Sequence, residues 1–135
     1  MKTKTTEYSS SLLGESYTKT KHRSGLTVYV FPKDLTTTHA ILAAKCGSID
    51  RCVRLPDGRL RRFPAGIAHY LEHKLFDNES GEDSFATFSA LGADSNAYTS
   101  YTQTAYFFNA TQNQKKALKE LLSFATHPYF TKATV

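Results

Sequence analysis

The sequence predicts an α+β fold, an antiparallel-rich sheet with helices packed on one of its faces. Three observations predict it. Short β-prone runs over residues 17–22, 26–31 and 37–45 are separated by turn residues rather than by helices, so neighbours should pair as hairpins instead of through βαβ crossovers. Residues 95–109 are dense in Tyr, Thr and Phe, a second β-rich stretch. Helical patterning is confined to three later segments.

In chain order, residues 1–15 are rich in Thr, Ser and Lys with weak periodicity, and predict an irregular arm or an edge strand. Residues 17–22 and 26–31 flank Arg23-Ser24-Gly25, a hairpin turn signal, and Pro32 ends the second run by removing a ladder donor. Residues 37–45 form a third strand that Gly47 closes. The arginine-dense connection over 47–63, with Pro56-Asp57-Gly58 near its middle, is expected as an exposed loop. Pro64 suits the first position of a helix over 64–76, because its missing N–H has no partner there in any case. Residues 78–82 form a turn, Asp83 or Ser84 caps a short helix presenting Phe85 and Phe88, and Gly92 stops it. Two strands follow over 95–109, joined around 100–102. Thr111-Gln112-Asn113-Gln114 is a capping-box pattern opening a helix with Ala117, Leu118, Leu121, Leu122 and Ala125 on one face, ended by His127-Pro128.

Bulk properties narrow the function classes. The 135 residues have the length of one domain, expected to run over 1–135. No apolar run reaches the ~18 to 20 residues of a membrane span, and the polar first eleven residues lack the apolar region of a secretory signal, so no membrane partner is expected and the cytoplasm is the default. Two cysteines, Cys46 and Cys52, are too few for a disulfide framework and lack the spacing of a zinc knuckle, which predicts ordinary thiols with no part in a metal site. Arg51, Arg54, Arg59, Arg61 and Arg62 form a basic run within a net charge of +5. The aromatic residues fall at β-core spacing and are not interleaved with those arginines, which predicts a solvated loop and no nucleic-acid partner.

The chemistry concentrates in His69-Tyr70-Leu71-Glu72-His73. Residues four apart on a helix share a face with Cβ atoms about 5 to 6 Å apart, so the two imidazoles can converge on one ion. Two histidines at this spacing alone are usually ordinary surface residues. Glu72 immediately before the second histidine converts the pattern to His-x-x-Glu-His, the inverzincin arrangement, in which the carboxylate acts as general base beside a zinc ion. Zinc held by two histidines and a carboxylate keeps a position for water and lowers its pKa toward about 7.

Residues 66–76 resemble the active-site helix of the pitrilysin/insulinase family, and Asn96-Ala97-Tyr98-Thr99 is similar to that family's downstream Asn-Ala-aromatic-Thr signature. The 85–92 helix, the 104–108 strand and Pro128-Tyr129-Phe130-Thr131 are also similar, and the likeness is to the bacterial cytosolic branch. The resemblance implies a zinc endopeptidase with His69 and His73 as metal ligands, Glu72 as catalytic base, and Asn96 and Ala97 on an edge strand that binds an extended peptide through main-chain hydrogen bonds. It also implies a third zinc ligand, a glutamate on a later helix. Glu79, Glu82 and Glu120 do not match it, so the ligand is expected beyond Val135 and the sequence is expected to be a truncated amino-terminal peptidase domain, inactive alone. The implied partners are a peptide or small protein substrate, the remaining part of the parent or a second subunit, and another copy of the chain through self-association. A non-catalytic peptide-binding subunit of a heteromeric peptidase is the competing reading, against which the intact Glu72 counts.

Overall fold

Residues 3–77 and 83–132 are described in the computed structural model, and the chain divides into two units, Met1–Leu35 and Thr36–Val135. One domain over 1–135 is the expectation from sequence because no Gly/Ser-rich linker marks that boundary.

In the first unit β1 (Lys4–Ser10), β2 (Glu15–Lys21) and β3 (Thr27–Val30) form an antiparallel sheet in the order β1-β2-β3. The irregular arm expected over 1–15 is therefore corrected to its alternative, an edge strand. All seven residues of β1 pair with β2, and Tyr8 stacks on its cross-strand partner Tyr17 with ring centroids 4.9 Å apart. Such an aromatic pair supplies the cross-strand contact that weak periodicity conceals. Gly25, at φ 95°, makes the following turn, which His22 N–H closes onto Leu26 C=O.

The second unit contains β4 (Thr38–Ala44), β5 (Cys52–Arg54), β6 (Leu60–Arg62), α1 (Ile67–Lys74), α2 (Ser84–Ala90), β7 (Ala93–Thr99), β8 (Thr104–Ala110) and α3 (Gln114–Thr126). Its main sheet has the order β4-β8-β7, wholly antiparallel, with β8 central. Alternation along β8 assigns the two faces. Tyr106, Phe108 and Ala110 are buried in one cluster with Leu75, Phe76, Phe88, Ala117, Leu121 and Phe124 from the helical segments. Phe107 and Asn109 lie on the opposite face, where their neighbours are His39 and Tyr98. The helices thus cover one sheet face, as the α+β expectation requires.

Four local expectations are corrected. Residues 47–63 hold a hairpin: Cys52↔Arg62, Val53↔Arg61 and Arg54↔Leu60 pair around the 56–58 turn, where Gly58 has φ 83°. The first helix is shorter than 64–76, because Gly66, at φ 87°, occupies the N-cap in a left-handed conformation that separates Pro64 from the helix. The capping box over 111–114 does not form. Asn113, at φ 54°, is the N-cap and its side chain instead donates to Leu91 C=O, while Gln114 donates to Thr111 C=O. The packed stripe of α3 is Ala117, Leu121 and Phe124, with Leu118 and Leu122 exposed. The stripe turns toward Phe124 because its ring packs on Phe76, Tyr106 and Phe88 together. Asp83 does cap α2, accepting from Phe85 N–H at 2.9 Å, and Gly92, at φ 74°, follows its end. The turn expected over 78–82, with Glu79 and Glu82, lies outside the described residues.

Candidate metal centre

α1 is amphipathic in an unusual sense, because its inward stripe carries a carboxylate. Ala68 and Glu72, four apart, are both buried, and Leu75 and Phe76 continue that side into the core. An ionised carboxylate with 6% exposure needs a donor, since burying an unpaired charge is costly. Thr99, the last residue of β7, provides it: its hydroxyl donates to Glu72 Oε2 at 2.6 Å. Oε1 has no hydrogen-bond donor among the described residues.

His69 and His73 emerge on the exposed side of the same helix. Their Nε2 atoms are 3.1 Å apart and their rings meet edge to face at 84°. His69 Nδ1 is 3.5 Å from Glu72 Oε2. The candidate ligand atoms of His69, Glu72 and His73 lie within 4.8 Å of one another.

The donor set suits zinc. Two nitrogens each about 2.0 to 2.1 Å from a tetrahedral ion stand about 3.3 Å apart, close to the observed separation of the imidazole nitrogens. Glu72 lies beside the ring pair with one oxygen already bonded to Thr99, an arrangement suited to a base next to a metal. Neither Cys46 nor Cys52 belongs to the group. Beside α1, Leu71 and Leu75 help line an open apolar pocket of about 210 Å³, together with Tyr106 from β8. Burial, and then the Glu72 charge, push the Tyr106 hydroxyl far above the ordinary tyrosine range, which keeps it neutral.

The remaining expected site residues separate. β7 is an edge of the β4-β8-β7 sheet. Ala97 pairs with Tyr106 on the helix-covered face, whereas Asn96 pairs with Phe107 and lies on the opposite face, exposed, its Oδ1 accepting from Ala97 N–H at 2.8 Å. Thr99, two residues beyond Ala97 and on the same face, reaches the motif.

The sequence profile described as "Insulinase (Peptidase family M16)" matches residues 63–135. The chain belongs to the insulinase family, M16. Among M16 relatives, the uncharacterized zinc protease YmfH of Bacillus subtilis (strain 168) is 46% identical over 125 residues, a match covering 91% of this chain and 29% of YmfH. An M16-like peptidase from Alicyclobacillus acidocaldarius superposes with a TM-score of 0.82 at 38% identity, covering 88% of this chain and 28% of that one. Pitrilysin superposes with a TM-score of 0.69 at 19% identity, covering 88% of this chain and 12% of pitrilysin, a likeness of fold. The chain therefore spans under a third of the M16 proteins it matches.

Thr99, Thr104 and Gly47 surround the site, and the sequence reading gives none of them a part in its chemistry. Thr104 donates to Cys46 C=O at 2.9 Å. Gly47, the next residue, packs so closely on the 100–102 turn that a Cβ there would lie 2.5 Å from Thr102 N and would also overlap Tyr101 O. Their sequence signals are indirect: Thr99 falls in Asn96-Ala97-Tyr98-Thr99, Thr104 opens the 104–108 strand of the same resemblance, and Gly47 closes the 37–45 strand.

Proposed function

We propose that the full-length protein is a zinc-dependent endopeptidase of the inverzincin type, with His69 and His73 as metal ligands and Glu72 as general base. The observation that carries this reading is the pair of imidazole nitrogens 3.1 Å apart beside a buried, hydrogen-bonded carboxylate. Bound zinc would supply Lewis acidity and a water acidic enough to act as nucleophile near neutral pH. Glu72 would take a proton from the attacking water through Oε1 and return it to the leaving amine. The β7 edge, with Asn96 and Ala97, would hold an extended peptide; the Ala97 N–H now bonded to Asn96 Oδ1 is one main-chain group a substrate carbonyl could engage.

Catalytic zinc sites ordinarily have three protein ligands; the resemblance to the family implies that the third is a glutamate on a later helix, and with Glu72 acting as base that is the ligand proposed for the full-length protein. Its remaining part or a second subunit would complete the cleft, and without it the exposed surface should favour self-association. No helix among the described residues is long and apolar enough to cross a membrane. The free thiols of Cys46 and Cys52 accord with a reducing compartment, and the cytoplasm is the proposed location. The competing reading, a non-catalytic peptide-binding subunit, gives no reason to hold a carboxylate buried and hydrogen-bonded beside two histidines.

The test is cleavage of a quenched-fluorescent peptide library by purified full-length protein. Chelation should abolish cleavage and stoichiometric zinc should restore it. Cleavage that persists in the zinc-free protein would refute the assignment.

A further inference from the structure

We propose that Thr99 is the positioning residue for Glu72, holding the carboxylate in the orientation the base requires; the inference rests on the functional reading above. Three observations support it. Glu72 is buried at a core-facing position of α1, yet its two carboxylate oxygens are treated unequally: Oε2 accepts from Thr99 at 2.6 Å, and Oε1 has no donor among the described residues. A short hydroxyl-to-carboxylate bond selects one rotamer from the several that three side-chain torsions allow, and leaves one defined oxygen for the proton of the attacking water.

Thr99 is itself well held. Its Cβ branch restricts χ1, and it pairs with Thr104 across the β7–β8 ladder with their hydroxyl oxygens 3.4 Å apart. The Thr99 proton goes to Glu72 and the Thr104 proton goes to Cys46 C=O, so the contact between the two oxygens is packing rather than a proton relay. Cys46 precedes the loop that grips the β7–β8 turn: Ser48 N–H donates to Ser100 C=O at 2.9 Å and Ile49 N–H to Tyr101 C=O at 3.1 Å. The orientation of Glu72 is therefore set by β7, β8 and the loop after β4, segments distant in sequence from the histidines.

The experiment uses the full-length protein and the variants Thr99→Val, Thr99→Ala and Thr99→Ser. Valine keeps the branched shape and removes the hydroxyl; serine keeps the hydroxyl and removes the methyl. The expected result for valine and alanine is a kcat lower by about 10- to 100-fold, the size of effect that a misplaced catalytic group produces, with KM within about twofold of wild type. Zinc affinity, read by chelator competition, should stay within about twofold, because the histidines are untouched. Serine should recover most of kcat. Crystals of the metal-free valine or alanine variant should show the Glu72 carboxylate rotated away from its wild-type position. Wild-type kcat in both hydroxyl-free variants, equal impairment of serine and valine, or an unmoved carboxylate would overturn the proposal. Failure of the functional reading is separable, because it appears as a zinc-loaded wild-type protein that cleaves no peptide, while the crystallographic comparison still decides what Thr99 does to Glu72.

Discussion

Glu72 is the side chain on which the proposed chemistry rests, and its variants separate charge from shape. Glu72→Gln keeps the length and an acceptor oxygen for Thr99 while removing the base. It should lower kcat/KM of the full-length protein by about 10²- to 10⁴-fold, the range general-base catalysis contributes, with zinc content unchanged by metal analysis. Undiminished turnover would remove Glu72 from the mechanism. His69→Ala and His73→Ala should each lower zinc content as well as activity, since each removes one of two nitrogens that meet at 3.1 Å. His69, Glu72 and His73 are legible in the sequence because helix geometry converts their spacing directly into proximity. Thr99 is not, since it acts across 27 residues of chain and its contact exists only once β7 docks against α1. Asn96 shows the complementary problem: its place on an edge strand is readable, but strand alternation places its side chain on the opposite face from Ala97 and Thr99.

At the scale of elements, what could be read was whatever local chemistry dictates. Asp83 caps α2, Pro32 and Gly92 stop their elements, and the Arg23-Ser24-Gly25 turn joins two antiparallel strands. What escaped depends on tertiary contact. The β5–β6 hairpin sits in a segment whose arginines suggest a loop, and the packed side of α3 is chosen by aromatic contacts to Phe124 that no helical periodicity contains. Phe124→Ala should therefore cost about 3 to 5 kcal/mol by chemical denaturation, whereas Leu118→Ala, on the exposed side, should cost far less. Comparable losses for the two would restore the stripe expected from sequence. Gly47 makes a second demand on its element. A methyl group there meets the backbone of Tyr101 and Thr102, which cannot swing aside as a side-chain tip would. Gly47→Ala should cost about 1 to 3 kcal/mol, as overpacking does. It should also lower kcat if the 46–50 loop supports Thr99 through the β7–β8 turn.

For the whole molecule the deciding quantity is how completely these residues surround a metal. The family could be recognised from two short motifs because both lie in the unit Thr36–Val135, where α1 and β7 pack together. The division at Leu35 was not legible, since it follows from the distribution of contacts rather than from any linker composition. This chain spans 29% of YmfH, and its described residues bring two imidazoles and one committed carboxylate to the site. Two imidazoles alone leave zinc free to exchange them for water, while each added anionic ligand strengthens the hold by charge as well as by number. Zinc should therefore bind the 135-residue chain at least about 100-fold more weakly than the full-length protein, since losing a direct ligand should cost no less than the roughly 10- to 100-fold that losing an outer-shell partner of a ligand costs. Competition with a graded series of chelators at fixed pH measures both constants in one assay, and His69→Ala in each protein shows that the same site is being read. Equal affinities would mean that the ligands within this chain suffice, and would assign the third position to Glu72 itself rather than to a later helix. A large difference that disappears in His69→Ala would place the completing ligand in the part of the parent that this chain does not include.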